Sequence, residues 1–192
     1  NDWVTLGTKA EAAALFNPMT GECGEAKVRQ VDGKTQVYLQ LKSGESIILQ
    51  TYRQPLQASK PWKYVKEQPF SLRLDHGWKL HFAESTPEIQ GTFDIDRPCS
   101  WTNIDHPAAQ TNMGTGVYSL DIELPALKAD NWILDLGDVR ESARVRINGQ
   151  EAGCVWAVPY QLKVGQFLKP GKNHIEIEVT NLPANRIAEL DR

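Results

Sequence analysis

Pairs of carboxylates are the first residues in this chain whose types and spacing could do chemistry. Acid–base hydrolysis of a glycosidic bond needs two carboxyl groups, about 5–5.5 Å apart for retention of configuration and about 6.5–9.5 Å for inversion. Three pairs stand close in sequence: Asp94 with Asp96, Asp135 with Asp138, and Glu176 with Glu178. Each pair lies in strand-rich sequence, where alternating carboxylates are ordinarily the solvated face of a half-buried strand. They are read as surface residues, and no catalytic residue is assigned.

Nucleophilic catalysis has even less support. A nucleophile elbow of the G-x-S-x-G kind is absent. Asp105-His106 is adjacent in sequence but falls in a loop before Pro107. The four histidines, His76, His81, His106 and His174, lack metal-ligand spacing, and His81 and His174 sit in or at the start of strands. Gly114-Thr115-Gly116 is too short for a phosphate loop and leads into a strand rather than a helix. Cys23, Cys99 and Cys154 are far apart with no C-x-x-C, which argues against a zinc site. Each is expected to be a buried, inert thiol. A single disulfide would leave one of the three free, and spacing does not choose the pair.

Aromatic rings carry more information. A surface that binds sugars stacks their C–H faces on exposed rings. Of the six tryptophans, Trp101 lies in a loop-rich stretch and Trp156 near a strand end, so these two are the candidate ligand-binding residues. Trp132 sits within a strand and is expected in the core.

The elements that must position these residues are strands. Val37, Leu39 and Leu41 alternate with Gln36, Tyr38 and Gln40, and with Ser46 to Tyr52 beyond Ser43-Gly44-Glu45 they predict a hairpin. Phe70–Leu74 and Trp78–Phe82 about Asp75-His76-Gly77 predict another. Residues 83–115 read as long loops with a short strand near Gly91–Ile95. Downstream, alternating stretches cover Tyr118–Leu124, Trp132–Leu136, Ala143–Ile147, Glu151–Trp156, Tyr160–Val164 and His174–Val179. Asn148-Gly149 marks a type I′ hairpin, because both central residues of that turn need positive φ. Strands at this spacing predict a sandwich or jelly roll. Lys9–Leu15 is the one helix candidate, with a strand through Ala14-Leu15-Phe16 as the other reading. Outward Arg144 and Arg146 are expected to pair with outward Glu176 and Glu178 if their strands share a face.

Composition bounds the rest. The chain has 192 residues and a formal net charge of −3. Residues 1–65 carry 8 Lys/Arg against 6 Asp/Glu, and residues 66–192 carry 13 against 18. That balance lacks a nucleic-acid footprint, and no apolar run reaches the ~20 residues of a membrane span. Residue 1 is Asn and a signal peptide is absent, so the chain is expected to be processed or cut from a longer one. Pro55, Ser59, Pro61 and Pro69 suggest a boundary, giving a β-rich segment at 1–65 and a larger domain at 66–192.

Several runs in that larger domain resemble a known family. They are Gly116-Val117-Tyr118, Leu134-Asp135-Leu136-Gly137-Asp138-Val139, Ala143-Arg144-Val145-Arg146-Ile147-Asn148-Gly149, Gly153-Cys154-Val155-Trp156, Pro170-Gly171-Lys172-Asn173 and Ile175 to Asn181. In order and spacing they resemble the sugar-binding domain of glycoside hydrolase family 2, a galactose-binding-like jelly roll. Val179-Thr180-Asn181 with Asn185-Arg186, and upstream Phe16 to Gly21, are similar to family 106 α-L-rhamnosidases.

The resemblance implies an all-β fold, a jelly roll preceded by a smaller β-rich domain. It implies an accessory part of a large periplasmic or extracellular glycoside hydrolase whose catalytic barrel lies elsewhere in the parent chain. Its matching motifs shape turns and strands, so no catalytic residue is carried over. Some related sandwiches hold a structural calcium, but no acidic ligand cluster is apparent here, and neither metal nor cofactor is expected. The expected partner is the catalytic domain of the parent. Polysaccharide held on exposed aromatics is the alternative, and neither nucleic acid nor membrane is expected.

Overall fold

The computed structural model describes residues 1–66, 70–126 and 129–191. The chain is all-β and divides into two compact units, Asn1–Pro69 and Phe70–Arg192, where the sequence suggested residues 65 and 66. Pro69, one of the boundary signals, lies outside the described residues.

Among its described residues the first unit holds six strands: β1 (Asp2–Thr5), β2 (Ala12–Phe16), β3 (Cys23–Glu25), β4 (Val28–Val31), β5 (Lys34–Leu39) and β6 (Ile48–Tyr52). They form two antiparallel three-stranded sheets, β1-β5-β4 and β3-β2-β6. The core is small. Ala13, Leu15, Ala26 and Val37 are buried, with Leu6, Val28, Leu39, Leu49 and Trp62 packed on them. β2 is buried on both faces from Ala12 to Leu15, so Lys9–Leu15 contributes a strand rather than a helix.

The expected hairpin of Thr35–Leu41 with Ser46–Tyr52 does not form. β5 pairs with β1 and β4, and β6 pairs with β2 in the other sheet. The tight turn is Asp32-Gly33, which joins β4 to β5 with φ of 49° and 73°. That is the type I′ signature, and it outcompetes the longer Lys42–Ser46 loop as a hairpin connection.

The second unit holds β7 (Trp78–Thr86), β8 (Thr92–Ile95), β9 (Met113–Leu124), β10 (Ile133–Asp135), β11 (Ser142–Ile147), β12 (Gln150–Val155), β13 (Gln161–Lys163) and β14 (Gly171–Thr180). Its described residues also form two short α-helices, α1 (Pro107–Gln110) and α2 (Ala184–Leu190), and a 3₁₀ turn at Trp101–Asn103. Six strands make one antiparallel sheet in the order β12-β11-β14-β9-β7-β8. β10 and β13 form a second, two-stranded sheet. Leu80, Tyr118, Leu120, Val145, Ile147, Ile175 and Ile177 from the large sheet share one buried cluster with Leu134, Tyr160 and Val164. Asn148-Gly149 turns between β11 and β12 with φ of 53° and 79°, as its sequence predicts.

Phe70–Leu74 is not a strand, so β7 finds its partners elsewhere, in β8 and β9. The carbonyl of Leu74 accepts a hydrogen bond from the Trp78 indole at 2.7 Å. This segment satisfies a core side chain instead of extending the sheet.

Candidate functional site

Four of the six paired carboxylates, Asp94, Asp135, Asp138 and Glu178, are engaged in local structure. Asp94 meets Lys79 at 2.8 Å across β7 and β8, and this contact raises the lysine pKa. Asp135 accepts from the Gly137 amide at 2.9 Å and from the Gln161 side chain at 2.7 Å. Asp138 binds Arg140 through both oxygens, at 3.0 and 2.9 Å, which holds its carboxyl below the usual range. Glu178 lies against Arg144 at 3.5 Å and Arg146 at 3.3 Å. β11 and β14 are neighbours in one sheet with Arg144 opposite Glu178 and Arg146 opposite Glu176, so the expected cross-strand pairing forms at Glu178. Glu178 takes both arginines.

Among the histidines, His174 Nδ1 stands 2.7 Å from Asp121 Oδ1 in an exposed setting. The His106 ring meets Phe93 edge-on at 5.5 Å. Among the described residues, no group of three or more His, Cys, Asp and Glu is placed to hold a metal ion. No helix there is long and apolar enough to cross a membrane. All three cysteines are free and exposed, which corrects the expectation of buried thiols. Cys23 and Cys154 lie on edge strands, and Cys99 lies in a loop.

Trp101 is also corrected. It is only 6% exposed and belongs to the core. Its indole donates to the Tyr118 hydroxyl at 2.7 Å, packs edge-on against Phe82 at 5.0 Å, and lies over Gly116. A loop address suggested exposure, but the short 3₁₀ turn at Trp101–Asn103 folds the ring inward. Desolvation pushes the Tyr118 phenol up to about 12, against the opposing pull of the Trp101 hydrogen bond. Trp156, by contrast, is 64% exposed, and Val158 beside it is 58% exposed.

The richest surface constellation lies in the first unit, where neither of the two chosen tryptophans is found. On the outward face of β1-β5-β4, register places Trp3 opposite Tyr38 and Thr5 opposite Gln36, with Gln36 opposite Arg29. The Trp3 and Tyr38 rings lie 5.4 Å apart, and Tyr38 and Tyr64 lie 5.2 Å apart. The three rings form a row of half-buried aromatics.

Cations flank that row. Arg29 reaches across β5 to sit 4.2 Å from the Trp3 ring centre, and the Lys27 ammonium is 5.0 Å from that of Tyr64. The row is anchored by polar contacts. Arg29 Nε donates to Gln36 at 2.7 Å, and Gln36 donates to Thr5 at 3.0 Å. The Tyr64 hydroxyl donates to the Tyr38 carbonyl and accepts the Lys27 amide, both at 3.0 Å. Burial raises the Tyr64 pKa, with that amide bond opposing it. The signal that could have found this surface was β-strand alternation: Trp3 and Tyr38 fall on the polar side of strands whose other side carries Val4 and Val37.

No family model matches the chain. A Formosa agariphila protein provisionally named beta-glucuronidase is 32% identical over 126 residues, covering 64% of this chain and 11% of that protein. The structure of a rhamnosidase from Novosphingobium sp. PP1Y superposes with a TM-score of 0.76 at 24% identity, over 95% of this chain and 17% of that one. A β-glucuronidase from Ruminococcus gnavus gives 0.51 at 20% identity, over 62% of this chain and 23% of that one. The chain thus spans about a tenth of its curated relative and about a sixth of the rhamnosidase. It shares its fold with a β-rich portion of a glycoside hydrolase and is related in sequence to a stretch of another.

Proposed function

We propose that this chain is a non-catalytic accessory β-sandwich of a large α-L-rhamnosidase-like glycoside hydrolase, and that it braces the catalytic domain. In this reading its second unit is a jelly roll of the galactose-binding type, it needs no cofactor, and the parent works in the periplasm or outside the cell.

The carrying observation is a set of large apolar side chains left facing water in two short segments. Trp156 and Val158 are 64% and 58% exposed; Leu182, Ile187 and Leu190 are 56%, 52% and 68% exposed. Ile187 and Leu190, three apart, share one side of α2. Clustered apolar surface of this kind marks an interaction site, and a covalently linked neighbouring domain is the partner this reading supplies. Asp135 and Asp138 meanwhile serve turns, and Asp94 and Glu178 serve cross-strand pairs.

The test is association in trans. The chain, produced separately from the remainder of its parent hydrolase, is expected to bind it with 1:1 stoichiometry in calorimetry. Ile187→Ser with Leu190→Ser, or Trp156→Ser with Val158→Ser, is expected to weaken that binding tenfold or more. The isolated chain is expected to leave aryl rhamnosides and aryl glucuronides intact. Turnover by the isolated chain, or association indifferent to both double variants, would overturn the reading.

A further inference from the structure

We propose that the outward face of β1-β5-β4 binds an acidic saccharide, through the Trp3, Tyr38 and Tyr64 rings with Arg29 and Lys27 taking the ligand's carboxylates. The proposal is independent of the bracing reading and concerns the other unit of the chain.

The placement of the rings is the first argument. The core cluster of this unit holds four buried residues, three of them alanine or valine. Burying an aromatic ring there would contribute far more than an alanine does. Instead Trp3 and Tyr38 lie on the outer face of the sheet whose other face supplies Val37 and Val28 to the core. Their half-buried rings remain in reach of solvent.

Rigidity is the second. Gln36, Thr5 and the Tyr64 hydroxyl hold this face by hydrogen bonds from three different segments. A second lock joins Gln40 to Val65, with bonds of 2.9 and 2.7 Å in the two directions. A surface ordered before binding loses less entropy when it binds.

Charge selects the ligand. Two cations sit over the row, and Asp2, the acid next to Trp3, turns its carboxylate back onto the Trp3 amide at 2.7 Å. Strand alternation also points Asp2 to the opposite face from Trp3. The surface therefore offers apolar ring area, amide and hydroxyl groups from Gln36 and Thr5, and two positive charges. A pyranose bearing a carboxylate matches all three: its C–H face meets a ring, its hydroxyls meet the amide, and its carboxylate meets a cation. Single-stranded nucleic acid also stacks on aromatics, but it requires a basic groove that tracks the backbone. Two cations on a chain of net charge −3 do not supply one.

The experiment is calorimetric titration of the whole chain with oligogalacturonate, with its carboxyl-reduced counterpart, and with oligodeoxythymidine. Saturable binding of oligogalacturonate is expected, weakening as salt rises. The carboxyl-reduced oligomer is expected to bind at least tenfold more weakly, and oligodeoxythymidine not measurably. Arg29→Gln and Trp3→Ala are each expected to weaken binding about tenfold. Lys27→Gln, made in an exposed side chain, guards against loss of binding by misfolding and is expected to weaken it severalfold. Folding of each variant is checked by circular dichroism. The proposal falls if folded wild-type chain does not bind, if the reduced oligomer binds equally well, if oligodeoxythymidine binds as tightly, or if Trp3→Ala and Arg29→Gln leave affinity unchanged. Arg29→Gln is expected to leave association with the rest of the hydrolase intact, which separates this proposal's failure from that of the bracing reading.

Discussion

The Arg29 guanidinium lies 4.2 Å from the centre of the Trp3 ring, although strand β5 runs between the strands that carry them. The arginine reaches across Gln36, its register partner on β5, to which its Nε donates at 2.7 Å. A cation over an indole at a partly exposed site contributes about 0.5–1 kcal/mol.

A double-mutant cycle measures that contribution. Trp3→Ala and Arg29→Ala should each destabilise the first unit modestly, and the double variant should fall short of their sum by about 0.5–1 kcal/mol. Urea unfolding with circular dichroism reads the four stabilities. Strict additivity would mean that the stacked geometry contributes nothing in solution.

Gly116 is a glycine for steric reasons. A Cβ at this position would stand 2.8 Å from Trp101 Cζ2 and 3.1 Å from Leu80 Cδ1, and both atoms belong to closely packed core side chains. Gly116→Ala should therefore cost about 1–3 kcal/mol, the usual range for overpacking. Replacing Trp101 with leucine removes the obstructing ring. The added cost of Gly116→Ala in a Trp101→Leu background should then be clearly smaller, as measured by thermal unfolding of the four chains.

Much of the second unit was legible in sequence because its strands alternate cleanly. Ala143, Val145 and Ile147 against Arg144 and Arg146, with Asn-Gly after them, admit one register, and a slip by one residue would bury the arginines. The first unit was harder to read. Its central strand, β2, is buried on both faces and so shows no alternation. Its Asp32-Gly33 turn competed with a more conspicuous Ser-Gly-Glu loop. Site residues failed for a related reason. Loop position predicted exposure for Trp101, but a single 3₁₀ turn reverses it, whereas alternation gives only the face on which Trp3 and Tyr38 lie, and the long-range pairing of β1 with β5 brings the two rings together.

Glu178 is shared by two arginines on the neighbouring strand, at 3.5 and 3.3 Å. All three side chains are partly exposed, so the pairs should be weak and sensitive to salt. Glu178→Gln should cost about 0.5–1 kcal/mol at low ionic strength, and most of that difference should vanish in molar salt. Paired urea titrations at the two ionic strengths check it. A cost independent of salt would assign Glu178 a packing role instead.

Tyr118 gives the chain an alkaline limit. Its phenol is buried against Trp101, and desolvation raises its pKa from 10.0 to about 12. In the unfolded chain the phenol ionises near 10, so between pH 10 and 12 the unfolded state holds fewer protons than the folded one. Stability must fall with rising pH across that window. The stabilising contribution is complete below pH 10 and is lost as pH climbs through the folded value. A shift of about two units corresponds to roughly 3 kcal/mol at most. Tyr118→Phe keeps the ring and removes the ionisation, so its stability should be flatter than that of the parent chain from pH 10 to 12. The variant leaves the Trp101 indole without its acceptor, which should cost about 1–3 kcal/mol at pH 7. The two stability curves should therefore converge as the medium becomes alkaline. Curves that stay parallel would show that Tyr118 does not control the alkaline transition.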